Sequence, residues 1–141
     1  MRRNNLNIFS YLALIFFAIV GFVYLFWSFY PYKTIEFTDK VFPISNKIVK
    51  RGEAIRYTAN YCKCIDKEAL VTREFRNELI FVAPSTINNR PSGCHSLVIQ
   101  TIIPEELPTG KFTMRMTYQY QVNPIRTITI IQDTEEFEVV E

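Results

Sequence analysis

Hydrophobic positions follow two regimes along the chain. From Ile8 to Trp27 they are nearly continuous: IFSYLALIFFAIVGFVYLFW carries no charge, and Ser10 is its only clearly polar side chain. A helix of ~20 residues rises ~30 Å, the thickness of a bilayer's hydrocarbon core. In lipid the backbone must satisfy its own hydrogen bonds, so a lone apolar run of this length predicts a helix. The expectation is an uncleaved transmembrane helix, a signal anchor, over residues 8–29. Residues 1–7 lie on one side and everything after it on the other.

Beyond residue 34 the period changes to two. Phe112, Met114, Met116, Tyr118, Tyr120 and Val122 share one parity, while Lys111, Thr113, Arg115, Thr117, Gln119 and Gln121 share the other. Such alternation predicts a strand with one buried face. Leu107–Gly110 supplies the turn before it. Asn123-Pro124 supplies the turn after it, and Arg126–Ile131 returns as a β-branched partner. The apolar parity then shifts from Ile128 and Ile130 to Phe137 and Val139, which predicts a bulge or bend near Gln132–Thr134. Upstream, Thr34–Phe37 and Lys47–Lys50 read as two parts of a first strand broken near Pro43. Arg51-Gly52 turns the chain into Ala54–Cys62. Leu70–Phe75, Leu79–Val82 and His95–Ile103 follow, with Asn88–Gly93 as a turn cluster. Short strands at this spacing predict an all-β fold, an antiparallel β-sandwich over residues 35–141.

Charge refines the picture. All 14 acidic residues lie beyond residue 30, and Arg2 and Arg3 are the only basic residues before Lys33, so the net charge of +2 is theirs. The positive-inside rule then puts the N-terminus in the cytoplasm and the strand-rich part outside it, periplasmic in a bacterium. A cleaved signal peptide normally has an apolar region of ~7–15 residues ending at small side chains. Here the run ends in rings, and Trp27, Tyr30 and Tyr32 are expected to lie in the headgroup layer. Residues 30–34 form a short connection containing the helix-stopping Pro31, so the outer part is expected close to the membrane. That part is formally neutral and has no field that would draw it to nucleic acid.

The stretch Arg51-Gly52-Glu53-Ala54-Ile55-Arg56-Tyr57 resembles the lead-in to the second strand of immunoglobulin-like and fibronectin-III-like domains. Leu107-Pro108-Thr109-Gly110-Lys111-Phe112 resembles the corner before their sixth strand. The resemblance covers about residues 34–140 and implies a single immunoglobulin-like sandwich. Their usual buried Trp has no counterpart, since Trp27 belongs to the apolar run. Tyr61-Cys62-Lys63, Gly93-Cys94-His95 and Tyr120–Pro124 give the chain a weak resemblance to single-span membrane proteins from bacteriophage genomes, which implies a bacterial inner-membrane setting. In an immunoglobulin-like sandwich the second and fifth strands are antiparallel neighbours, so the resemblance implies a disulfide from Cys94 to Cys62 or Cys64. Cys62 is slightly favoured because it belongs to the alternating run. The third thiol is left over or joins two chains. A weaker alternative is a metal site from Cys62, Cys64, Cys94 and His95.

No catalytic motif stands out. There is one histidine, with no Gly-rich phosphate loop, GxSxG elbow or HExxH. Glu105-Glu106 reads as a solvated turn, and the acidic positions from Asp133 to Glu141 as a charged edge that discourages sheet-to-sheet pairing. The expectation is a membrane-anchored, extracytoplasmic binding or scaffolding module. It is not an enzyme and carries no cofactor, metal or small-molecule substrate. Its partners are the lipid bilayer and another membrane or extracytoplasmic protein. The alternative is an accessory subunit that docks through its helix on a larger membrane complex.

Overall fold

The computed structural model describes residues 2–141, and side chains from Ile8 onward. The chain divides into two compact units. One comprises residues up to Tyr32 with Asn123–Arg126, and the other Lys33–Val122 with Thr127–Glu141.

The first unit is built on one helix, α1 (Arg2–Phe29). Its segment Ile8–Phe29 holds 22 residues at a mean hydropathy of 2.5, none of them buried within the protein. Length and composition suffice to cross a membrane. The helix stops before Pro31, and its last turn contains no basic residue. Donors come instead from far along the chain, one of them a cation. Arg126 donates to the carbonyls of Ser28 at 3.0 Å and Tyr30 at 2.7 Å. Asn123 donates to the Trp27 carbonyl at 2.9 Å. These carbonyls have no partner within the helix, and a guanidinium there also complements the negative end of the helix dipole.

The second unit is a two-sheet β-sandwich. Among the described residues its strands are β1 (Ile35–Phe37), β2 (Ile48–Lys50), β3 (Ala54–Lys63), β4 (Ala69–Arg76), β5 (Ile80–Asn88), β6 (Gly93–Ile102), β7 (Gly110–Asn123), β8 (Arg126–Asp133) and β9 (Phe137–Val140). One sheet has the order β1-β3-β6. The other has the order β2-β9-β7-β4-β5, with β8 also paired to β7. The broken first strand is divided between sheets: β1 pairs antiparallel with β3, while β2 pairs parallel with β9. Between them, Phe42 bridges Thr134 and Ile44 bridges Tyr57, so the crossing segment touches both sheets.

The alternation of β7 sets the core. Phe112, Met114, Met116, Tyr118, Tyr120 and Val122 are all buried, facing Ile55, Tyr57, Ala59 and Tyr61 of β3 and flanked by Val71 and Phe75 of β4. The parity change after β8 has a visible cause. Gln132 and Thr134 are buried, the strand breaks, and Phe137 and Val139 resume the inward face on the other parity. At the break, the Thr134 hydroxyl accepts the Met114 N–H at 3.0 Å, taking over one ladder bond of β7.

β5 is longer than the Leu79–Val82 read from the sequence. It continues through Pro84, which lacks a ladder donor. β5 lies at the sheet's edge, where proline is tolerated. The pairing with β4 shifts register between Val71 and Arg73 to absorb the irregularity.

Candidate functional site

The sandwich is not closed evenly. β5 ends one sheet and β6 ends the other, and along this side the inward face of β6 is only half covered. Leu97 and Ile99 share the parity of the core yet remain half-exposed. A cleft of about 160 Å³ opens there, lined by Leu97 and Ile99 from one sheet and by Val71, Arg73, Thr86 and Tyr118 from the other, among others. The ordinary strand pattern explains the apolar wall. Val71 and Phe75 are the buried positions of β4 on either side of Arg73, which shares their parity.

Arg73 is therefore a charged side chain on an inward strand position. Its Nε donates to the Tyr57 hydroxyl at 3.2 Å, and its Nη1 to the Thr86 hydroxyl at 2.9 Å. Both partners are neutral. Among the described residues no carboxylate pairs with it, and none lines the cleft. Arg90 stands at the mouth, and Asn88 there donates to the Tyr61 hydroxyl at 3.3 Å. Burial pushes the Tyr118 phenol well above its usual pKa, so it stays neutral. The sequence reading passed over Arg73. The signal available was a lone cation between Val71 and Phe75 on the inward parity.

The turn carrying Arg90 leads into the cysteine corner. Cys62 and Cys94 are joined by a disulfide. They are directly opposite in the β3–β6 register, one pair before its end at Lys63–Gly93. Cys64 lies past the last pair and is a free, exposed thiol. His95 turns to the Pro91 carbonyl at 3.0 Å and packs on Tyr61. The four residues considered for a metal thus divide into a disulfide, an outlying thiol and a histidine held by backbone. Among the described residues no cluster of three or more potential ligands forms. Lys63 is buried, and its ammonium donates to the Arg90 carbonyl. Burial lowers its pKa, opposed by Asp66 and Glu68. Asp66 accepts the Ser92 N–H at 2.6 Å, and that bond holds its carboxyl below the usual range. The turn carrying Arg90 is thereby tied down from two sides.

A second feature lies on the outside of the β4–β5 ribbon. Leu70 and Ile87 face each other across the ladder there, and Val82 and Ile80 sit opposite Glu74 and Arg76. Val82 and Ile87 are each 64% exposed.

The other residues singled out from sequence belong to the first unit. The Tyr30 ring packs on Phe26 and on Tyr32, with centroids 5.0 and 4.8 Å apart. Trp27 is partly exposed, and its carbonyl takes the Asn123 bond. Arg2 and Arg3, expected to fix orientation, lie outside the residues whose side chains are described.

No protein-family model and no curated protein matches the chain. Among solved structures, the crystal structure of a Niemann-Pick type C2 protein from Japanese carpenter ant is similar over 77% of this chain and 100% of that one. The identity is 8% and the TM-score 0.47.

Proposed function

We propose that this chain is a membrane-anchored, extracytoplasmic binding module that captures a protein partner on the outer face of its β4–β5 ribbon. The observation that carries the reading is the row Leu70, Ile80, Val82 and Ile87 exposed on one face of an edge ribbon. Large apolar side chains exposed on one face support an interaction surface, and an edge strand also offers unpaired backbone groups for strand addition. An apolar helix and a disulfide-bonded sandwich in the same chain support anchoring with the sandwich on the oxidising side.

Photocrosslinking in native membranes tests the surface. A photoreactive residue at Val82 should give a discrete adduct with one protein, and the same residue at Lys111 should give none. Adducts of equal yield at both positions, or none at Val82, would count against this face. Replacing Ile8–Trp27 by an unrelated apolar span should leave the Val82 adduct intact. Its loss would favour an accessory subunit that docks through the helix.

A further inference from the structure

We propose that the cleft between β5 and β6 is a binding site for a small apolar monocarboxylate, with its carboxylate on Arg73 and its hydrocarbon part between the two sheets.

The argument starts from the charge. Arg73 is half-buried, so its guanidinium loses part of its hydration, and two neutral hydroxyls restore some of it. Arg73 has five N–H donors, of which Tyr57 and Thr86 engage two. Its remaining donors have no carboxylate among the described residues, although Arg115 is matched by Asp133 through two bonds of 2.8 and 2.9 Å. What sets Arg73 apart is its place: it has no counter-ion and lies on an inward strand position lining a cleft. The Tyr57 and Thr86 bonds hold the planar fork in place. Such a preorganised fork suits the bidentate geometry of a carboxylate.

The surroundings select against other ligands. With Arg90 at the mouth and no carboxylate on the wall, the cleft attracts anions and disfavours cations. Val71, Leu97, Ile99 and the Tyr118 ring supply an apolar part of the wall beside the polar Thr86 and Asn88, and a bare inorganic anion would leave that apolar part unused. Size fits a small occupant. A cavity of ~150 Å³ takes a benzene-sized molecule, and this one measures about 160 Å³. The occupant is one ring or a short branched chain carrying a single carboxylate. Ile87 of the outer row also borders the cleft, but Arg73 and Leu97, which the test changes, are not part of that row, so the site stands or falls separately from the outer surface proposed above.

The test uses the full chain in lipid nanodiscs and 4-fluorobenzoate, followed by ¹⁹F NMR with protein-free discs as the partition control. Saturable binding is expected for the carboxylate. 4-Fluorobenzamide, of the same shape without charge, should bind at least tenfold more weakly. Inorganic phosphate should displace the probe only at concentrations at least tenfold above those at which unlabelled benzoate does. Arg73→Gln should weaken binding tenfold or more, and Arg73→Lys should restore part of it. Should Arg73→Gln fail to fold, Leu97→Trp fills the cleft from β6 while keeping the arginine, and it should abolish binding. Equal binding of the amide, displacement by phosphate as effective as by benzoate, absence of saturation, or unchanged binding to Leu97→Trp would each overturn the proposal.

Discussion

Arg126 shows how much one side chain can do far from its place in the sequence. It lies 98 residues from Ser28 and 96 from Tyr30, and it supplies both carbonyls with the cation that the helix end itself lacks. Arg126→Ala should fray this end. Hydrogen exchange in nanodiscs should show the Tyr30 and Tyr32 amides, which bond to Phe26 and Tyr30 carbonyls, exchanging several-fold faster. Unchanged exchange would mean water replaces the guanidinium without loss. The cysteines give a second test at this scale. The Cys62–Cys94 bond joins residues 32 apart, a loop whose closure contributes ~3–4 kcal/mol in the chain-entropy model. Cys94→Ser should lower stability by about that amount in thermal unfolding followed by near-UV circular dichroism. Cys64→Ser, at an exposed site, should change it by less than ~0.5 kcal/mol. Equal effects of the two substitutions would argue that the bridge contributes little. Their different roles were only half legible in the sequence. Cys62 and Cys64 share a parity, and only the register, which ends at Lys63–Gly93, tells them apart.

At the scale of elements, β7 carries the fold, and its pairing with β8 is fastened by Arg115 and Asp133. The Arg115 guanidinium holds the Asp133 carboxyl below its ordinary value of 3.8. A carboxylate whose pKa is lower in the folded than in the unfolded state stabilises fully above about pH 5. That contribution fades as pH falls through the ordinary value and below it. Both side chains are about a third exposed, so solvent screening keeps the effect small, ~0.5 kcal/mol. Asp133→Asn should cost about that much at pH 7, and the cost should shrink towards pH 3. Melting temperatures of both proteins between pH 7 and pH 3 check this. A gap that stays constant with pH would contradict the assignment to charge. The strands themselves were readable where alternation was long, as in β7 and β3. β5 was not, because Pro84 interrupts its pattern. What keeps it a strand is an edge position that no local pattern reports.

For the whole molecule the open question is sidedness, and Cys64 is a ready probe. It is free and exposed on the sandwich, so a membrane-impermeant maleimide should label it in intact cells or spheroplasts when the sandwich faces outward. Labelling that appears only after lysis would place the sandwich in the cytoplasm and overturn the orientation expected from Arg2 and Arg3. The same experiment with Cys64→Ser is the control.

Two things followed from the sequence alone: an apolar stretch long enough to span a bilayer and a strand-rich remainder with β7 at its centre. Both are local periodicities, and lipid and a buried face each impose a period that survives in one dimension. Tertiary structure decided the rest. It placed Cys62 opposite Cys94, carried β2 into the second sheet, and brought Arg126 to the end of α1. It also left Arg73 in a cleft without a carboxylate. Each of these depends on which distant strands become neighbours. That choice is set by the packing of two sheets, whereas the residue pattern along one strand records only which of its faces is buried.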